Sequence, residues 1–170
     1  MADKQYTDAI ALLKADHRKV EDLFEKFSKA SAKDRKWALA REICTELKIH
    51  STIEEEIFYP TFEGKIEEDL WHEAYVEHDG AKVLINDIMA AEGNDDFFEA
   101  KVTVLCEEIG HHVQEEEKPG EGFFAQARES GVDMVELRDR MLARKEELMA
   151  QARNGGLPPA ILAAVQVQPA

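Results

Sequence analysis

The sequence contains few cysteines and no long apolar run, and each shortage excludes a class of protein. Two cysteines, Cys44 and Cys106, in a chain of 170 residues are too few for a disulfide framework. We interpret both as small hydrophobic residues of the interior. No apolar stretch approaches the roughly 20 residues that a membrane span needs. The N-terminal segment lacks the apolar region of a secretory signal, so we expect a cytoplasmic protein with no membrane partner.

Basic residues are also scarce. The chain has 21 Lys and Arg against 36 Asp and Glu, which gives a formal net charge of −15. This excess of negative charge opposes binding to nucleic acid or to an anionic membrane surface, so we predict neither as a partner. It is compatible with attraction of cations, although an acidic surface more often serves only solubility. No pattern in the sequence indicates an oligomeric state.

Four segments carry apolar residues at alternating steps of three and four, as one face of a buried helix requires. These stripes begin at Ile10, Ala40, Trp71 and Phe98. A chain of this length suits one domain. We therefore predict an all-α protein, an antiparallel up-down-up-down four-helix bundle. Pro60 should end the second helix, because proline disfavours helix at the residue before it.

The sequence beyond the fourth stripe predicts an additional C-terminal helical segment that ends near Arg153. We assign residues 1–153 to the bundle together with this accessory helix. Residues 154–170 form a low-charge tail that opens with glycine and proline. Two alternatives stay open for the tail: it is mobile, or residues 161–167 dock on the bundle or on a neighbouring molecule.

Each stripe also contains one histidine where a core would carry Leu or Ile, and two stripes contain a glutamate four residues later. The six residues are His17, His50, Glu54, His78, His112 and Glu116. Residues four apart project from one face of a helix, so each His–Glu pair points inward together.

An unpaired buried charge costs several kcal/mol, against a net stability of only about 5–15 kcal/mol. The six groups must therefore meet one another, water or a metal. Four imidazoles and two carboxylates suit a pair of transition-metal ions inside a bundle, although these ligand types alone do not separate iron from manganese.

Periodicity assigns other residues of the same types to the outside of this site: His72, His111, Glu55, Glu56 and Glu115. His72 lies well round the helix from His78, so we interpret it as a surface or boundary histidine. Glu55 and Glu56 are interpreted as a solvated face or as acceptors for the ligand imidazoles.

Several spaced motifs follow one another in the chain: Asp16-His17-Arg18, His50-x-x-x-Glu54, Ile57-Phe58-Tyr59-Pro60, Glu77-His78 and His111-His112-x-x-x-Glu116. Together, over roughly residues 7 to 150, they resemble the bacterial type of the hemerythrin-like (HHE) cation-binding domain family. Each motif alone is a weak signal, but their agreement in order makes the resemblance specific. The resemblance implies a non-haem di-iron site in which the four histidines each bind iron and Glu54 and Glu116 each bridge the two iron ions.

Three features depart from the family pattern. The oxygen-carrying hemerythrins of marine invertebrates have a fifth histidine four residues before the one that matches His78, and this chain has Ala74 there. Their last motif ends with an Asp five residues after the histidine, whereas Glu116 follows His112 by four. Finally, Pro119-Gly120 interrupts a stretch that in the family more often runs straight into an aromatic–proline turn.

The alanine implies that one iron lacks a protein nitrogen. The groups that would fill this position are water, Tyr75, Glu77 or His111. Tyr75 is the first candidate, because it lies three residues before His78 on nearly the same face. Its alternative role is that of an aromatic core residue with a hydrogen-bonded hydroxyl.

An iron pair with open positions, in fixed ligand geometry and an apolar shell, binds O2, peroxide or nitric oxide. We favour O2 binding, as a carrier, store or sensor, over an enzymatic role. The alternatives are a di-iron oxidoreductase acting on peroxide or nitric oxide, which the alanine at 74 motivates, and an iron-handling protein, which the acidic surface motivates. A metal-free, hydrogen-bonded His/Glu core is the remaining structural alternative. The sequence does not select the physiological ligand.

Overall fold

The computed structural model describes residues 5–167, which form helices and no β-strand. Residues 1–4 and 168–170, which the predicted bundle and tail include, lie outside this range. The helices are α1 (Ala9–Lys29), α2 (Lys33–Ile53), α3 (Tyr59–Thr61), α4 (Glu68–Ala91), α5 (Phe98–Glu117), α6 (Phe123–Glu129) and α7 (Met134–Arg153). The four long helices α1, α2, α4 and α5 form the antiparallel bundle that the stripes predict, and α7 packs across α1 and α2. Within residues 5–167, every helix is too short or too polar to cross a lipid bilayer.

Two groups of buried side chains fill the bundle. The aromatic cluster is centred on Phe58, Tyr59, Phe62, Phe123 and Phe124, and it joins the start of α1 to the C-terminal helices. The aliphatic cluster lies in the other half of the bundle and is centred on Ile43, Leu47, Ile85, Val102 and Leu105. The polar residues of the stripes lie between these two clusters, so both ends of that layer are sealed by apolar side chains.

The sequence predicts that the second helix ends before Pro60, and this prediction is wrong. The helix passes from α2 into a π-helical turn, Glu54–Phe58, and continues through α3 to Thr61. In this turn the backbone N–H of Tyr59 donates to the carbonyl of Glu54, five residues earlier. Pro60 is tolerated because it lies in the first turn of α3, where proline removes the least hydrogen bonding. The hydroxyl of Thr61 then donates to the carbonyl of Ile57 at 2.6 Å.

The turn between α5 and α6 depends on Gly122. Its N–H donates to the carbonyl of Lys118 at 2.9 Å, which folds the chain back against the end of α5. A Cβ at this position would lie 2.5 Å from the carbonyl oxygen of Glu115 and 2.7 Å from that of Glu116, so only glycine fits. The Pro-Gly interruption is therefore accommodated by a tight turn, and Glu116 keeps its inward position.

Candidate metal centre

The structure brings the six predicted ligand residues together in one buried layer, and each of them is at most 6% exposed. They are supplied by α1 (His17), α2 and the π-turn (His50 and Glu54), α4 (His78) and α5 (His112 and Glu116). Their ligand-type atoms form two groups, each with all atoms within 4.8 Å of one another. The first half of the centre contains His17, His50, Glu54 and Glu116, and the second half contains Glu54, His78 and His112. Glu54 belongs to both halves.

The Nδ1 atom of every histidine in the layer is paired with a carboxylate. The pairs are His17 with Glu117 at 2.7 Å, His50 with Asp16 at 3.3 Å, His78 with Glu55 at 2.9 Å and His112 with Glu77 at 2.6 Å. An ionised carboxylate only accepts hydrogen bonds, so we assign the imidazole proton to Nδ1. Each Nε2 atom then presents its lone pair to the middle of the layer. Metal-binding histidines in proteins have this arrangement.

The inward-facing nitrogen atoms lie close together in pairs. His17 Nε2 is 3.2 Å from His50 Nε2, and His78 Nε2 is 3.1 Å from His112 Nε2. Glu54 Oε2 lies 3.2 Å from His50 Nε2 and 3.1 Å from His78 Nε2. With neutral rings, all of these atoms are hydrogen-bond acceptors and repel one another. A cation in each half would convert the repulsion into coordination.

Two carboxylate oxygens in the layer also lack a partner. Glu54 Oε1 and Glu116 Oε2 are buried and form no hydrogen bond with the described residues. Glu116 Oε2 does lie 3.3 Å from His17 Nε2, but the two atoms are not aligned as donor and acceptor. A buried unsatisfied acceptor costs about 1–3 kcal/mol, and more when it is charged. The donor set therefore fits a pair of metal ions, which would satisfy both oxygens.

The charges of the layer shift the pKa values of its members in opposite directions. Burial alone would lower the pKa of His50, but the charge of Glu54 and the hydrogen bond with Asp16 raise it to about 10. Burial and the charge of Glu116 both raise the pKa of Glu54, yet contact with His50 and His78 lowers it overall. Without metal, a proton therefore remains on His50 beside the ionised Glu54. Metal binding would displace this proton.

A seventh residue, Tyr59, extends its hydroxyl into the second half of the centre. This oxygen donates to Glu116 Oε1 at 2.8 Å and lies 3.1 Å from His78 Nε2 and 3.3 Å from His112 Nε2. Burial raises the pKa of the Tyr59 phenol well above its usual value, as do the charges of Glu116 and Glu54, so the phenol is neutral without metal. In the sequence Tyr59 appears only within the Ile57-Phe58-Tyr59-Pro60 motif, and no role in the site was predicted for it.

The residues considered for the position left by Ala74 lie elsewhere. The Tyr75 ring packs against the rings of Trp71 and Tyr59, at 4.8 and 5.2 Å between centroids, as a partly buried residue of the aromatic cluster. Glu77 accepts from the outer nitrogen of His112. His111 is 65% exposed on its side chain and approaches only Glu77, at 3.9 Å.

Basic side chains hold three of the outer carboxylates. Arg18 donates to Glu117 at 2.8 Å, Lys82 contacts Glu55 at 2.7 Å, and Lys145 of α7 contacts Asp16. The carboxylates that orient the histidines are therefore themselves fixed by neighbouring helices.

A small cavity adjoins the layer on the side of the aliphatic cluster. Its volume is about 20 Å³, and its walls include all four histidines and the side chains of Val20, Leu47, Ala81, Ile85, Ile109 and Val113. About 10–15 Å³ accommodates one water molecule, so the cavity admits a molecule of a few atoms at most.

The comparisons with known proteins agree with this site. The model of the hemerythrin HHE cation-binding domain matches residues 8–119. The solved structure of a hemerythrin HHE cation-binding domain protein, the Rv2633c homologue of Mycobacterium kansasii, superposes on this chain with a TM-score of 0.69. The two sequences are 22% identical, and the match covers 89% of this chain and 95% of that chain. This similarity confirms the fold. A DNA nickase of Nostoc sp. is 28% identical over 116 residues, which are 68% of this chain, and the match spans only 33% of that longer protein. With a His/Glu cluster able to bind metal at its centre, the chain belongs to the hemerythrin HHE cation-binding domain family.

Proposed function

We propose that the chain binds two iron ions through His17, His50, Glu54, His78, His112 and Glu116, and that the centre binds O2 as a carrier, store or sensor. The observation that supports this most directly is the pair of buried oxygens without partners, Glu54 Oε1 and Glu116 Oε2, beside two pairs of facing imidazole nitrogens. With neutral imidazoles this layer lacks hydrogen-bond donors, and bound cations would satisfy both oxygens.

The positions of the two glutamates support a bridging role. Glu116 presents Oε2 to His17 of the first half, at 3.3 Å, and Oε1 to His112 of the second half, at 3.4 Å. Glu54 presents one oxygen to both halves, since Oε2 lies almost equally far from His50 and His78. Each carboxylate therefore reaches both proposed metal positions.

The choice of iron rests on the family rather than on the ligand types. Imidazole and carboxylate ligands admit both iron and manganese, so the family decides between them. Bound iron would supply reversible O2 binding and electron transfer. The protein would supply a cavity the size of a diatomic molecule, apolar clusters that exclude water, and the Tyr59 hydroxyl as a hydrogen-bond donor.

The test is the absorption spectrum of the iron-loaded, reduced protein as air is admitted and then removed. We expect two iron ions per chain and a near-ultraviolet and visible band that appears with air and disappears without it. Absence of bound iron after growth with iron would disprove the metal site. A one-way change to an oxidised spectrum would disprove reversible O2 binding while retaining the metal site.

A second candidate, a di-iron oxidoreductase acting on peroxide or nitric oxide, is favoured by Tyr59. A phenol, which can hold and release a proton, here occupies the half of the centre in which Ala74 leaves a nitrogen ligand missing. Stopped-flow mixing with peroxide distinguishes this candidate, because turnover should exceed that of free iron and should fall in Tyr59→Phe. Iron handling is the remaining outcome, and rapid loss of both ions to a chelator would support it.

We predict that the chain does not bind nucleic acid. The nickase activity belongs to a relative about three times as long as the matched segment, and the net charge of −15 opposes contact with phosphates. Retention of the purified chain on duplex DNA at low salt would contradict this prediction.

A further inference from the structure

The chain after α7 lies along α2 and α4 and is held through its main chain. Asp79 accepts hydrogen bonds from three consecutive amides, those of Ala163, Ala164 and Val165, at 2.7–2.8 Å. Asn86 forms two hydrogen bonds with the main chain of Ala160, one as donor and one as acceptor, both at 2.8 Å. We call the segment from Leu157 to Val167 the strap.

Several of the strap's apolar side chains face solvent, although Leu157 packs against the aromatic cluster. Ile161 is 84% exposed and Val167 is 71% exposed, although both are apolar. The position of the strap is therefore set by polar side chains of the bundle, in particular Asp79, which is only 1% exposed. Burying a carboxylate requires several hydrogen bonds in return, and the strap amides supply them.

Lys82 joins the strap to the metal layer. Its ammonium group donates to the carbonyl of Ile161 at 2.9 Å, and it also contacts Asp79 at 3.3 Å. The same nitrogen lies 2.7 Å from Glu55 Oε1, the oxygen that accepts from His78 Nδ1 at 2.9 Å. Lys82 is 4% exposed, so its amine depends on these protein acceptors rather than on water.

The first half of the centre contains a matching connection. Lys145 of α7 contacts Asp16, and Asp16 is bonded to His50 Nδ1. Both halves therefore use a lysine, a carboxylate and an imidazole in series. The difference is that Lys145 belongs to a packed helix, whereas Lys82 shares its donors with a segment that has no regular secondary structure.

We propose that Lys82 is a positioning residue for the second half of the centre, and that the strap fixes it. In this arrangement the strap carbonyl and Asp79 hold the Lys82 ammonium, the ammonium holds Glu55, and Glu55 sets the ring orientation of His78. The part of this inference that concerns metal retention rests on the proposed function. The part that concerns the orientation of His78 applies to the metal-free protein as well.

The first experiment compares Lys82→Met with Lys48→Met in the full chain. Methionine keeps most of the side-chain volume and removes the charge. Lys48 also donates to the strap, through a hydrogen bond of 3.2 Å to the carbonyl of Leu157, but it does not contact Glu55. Lys48→Met therefore controls for the loss of a lysine that holds the strap. Lys82→Arg tests whether a conservative replacement restores the wild-type behaviour, and a chain ending at Gly156 removes the strap while keeping Lys82.

The metal-independent measurement is the imidazole N–H signal of His78 in ¹⁵N NMR spectra of metal-free protein. We expect a slowly exchanging Nδ1 proton in the wild type and in Lys48→Met. The signal should broaden or disappear in Lys82→Met and in the chain ending at Gly156, and return in Lys82→Arg. An unchanged His78 signal in Lys82→Met, or in the shortened chain, would overturn the positioning role or its dependence on the strap.

The second measurement is the rate at which a chelator removes iron from the loaded protein. Loss of a group that orients a metal-binding histidine typically costs about 10–100-fold in metal affinity, so one of the two ions should leave at least about tenfold faster from Lys82→Met. Equal release from Lys82→Met and Lys48→Met would overturn the proposal. If the wild type takes up no iron, the proposed function is wrong, and the His78 signal still decides the positioning role. If Lys82→Met does not fold, the shortened chain and Lys82→Arg decide it.

Discussion

The two halves of the proposed centre use the same types of residue but obtain their shape differently. In the first half, His17 and His50 project from the regular helices α1 and α2, and the connection behind His50 ends on the packed helix α7. In the second half, the Tyr59 hydroxyl depends on a π-helical turn, and the connection behind His78 ends on the strap. The two histidines of the first half are therefore fixed by regular packing, whereas the second half depends on two irregular segments; Glu54, the first residue of the π-turn, serves both halves.

This difference predicts unequal strength. Helices packed on both sides open only with the global unfolding of the domain, whereas segments without regular structure open at lower cost. We therefore expect the second half to be the weaker metal position.

Removal of all metal should have the largest effect. A metal present at about 1,000 times its dissociation constant stabilises the folded state by about 4 kcal/mol. For a domain of this size, a change of about 1 kcal/mol in the free energy of unfolding shifts the melting temperature by about 2–4 °C. The melting temperature should therefore fall on the order of 10 °C, as measured by circular dichroism with and without chelator. Two kinetic phases of iron release would support the asymmetry between the halves. A melting temperature that does not respond to the chelator would contradict the metal site itself.

Glu54→Ala should remove both ions, because its Oε2 atom faces both halves of the centre. His72→Ala is the matched control on α4, since this residue lies outside both groups of ligand-type atoms. The measurement is iron per chain after growth with iron. Retention of one ion in Glu54→Ala would show that the halves are more independent than their shared carboxylate implies. Loss of iron in His72→Ala, with retention in His78→Ala, would show that the ligand assignment on α4 is wrong.

Tyr59→Phe should weaken the second half more than the first. The substitution removes the hydroxyl that lies among His78, His112 and Glu116 and keeps the ring in the aromatic cluster. We expect one ion to be released to a chelator at least about tenfold faster, the size of effect typical for groups that support metal ligands. Tyr75→Phe is the control, because the Tyr75 ring packs beside Tyr59 without reaching the layer. Equal release rates in the two variants would remove Tyr59 from the centre.

Asp8→Ala should lower the free energy of unfolding without changing metal release from either half of the centre. Asp8 caps α1 by accepting from the N–H of Ala11 at 2.8 Å and pairs with Arg128 of α6. Loss of such a cap costs about 1 kcal/mol, measurable by urea unfolding, while iron release should stay unchanged. Burial raises the pKa of Asp8, but Arg128 and the Ala11 amide lower it more. The stabilisation is therefore complete above the ordinary pKa of 3.8 and is lost as the pH falls through the lowered value. A stability difference between variant and wild type that grows on acidification would contradict this assignment.

The six candidate ligand residues of both halves were accessible from the sequence because they obey helical periodicity. An imidazole in an apolar stripe conflicts with burial, and this conflict identified His17 and His50 without any knowledge of the fold. The same reasoning chose His112 over His111, and the structure buries the former and exposes the latter. Periodicity likewise predicted the four-helix bundle, which the structure confirms.

The features that the sequence did not reveal are the irregular ones. The stripe of the second helix continued from Glu54 to Ile57, because steps of three and four assume an unbroken α-helix. In the structure Ile57 is only partly buried, whereas Phe58 and Tyr59 are fully buried. For the strap, docking of residues 161–167 on the bundle was one of two alternatives that the sequence left open. The sequence could not choose between them, because the attachment uses main-chain groups that every residue shares.

The π-turn at Glu54–Phe58 also has a consequence for the comparison of relatives. Its backbone hydrogen bond spans five residues, so the turn holds one residue more than a turn of α-helix. In an uninterrupted α-helix the residue five positions after Glu54 would lie about 140° round the helix axis from it. The π-turn instead returns Tyr59 to the face of Glu54, with its hydroxyl 3.3 Å from Glu54 Oε2. A tyrosine five residues after this glutamate therefore places its phenol in the centre only in those relatives that keep the π-turn.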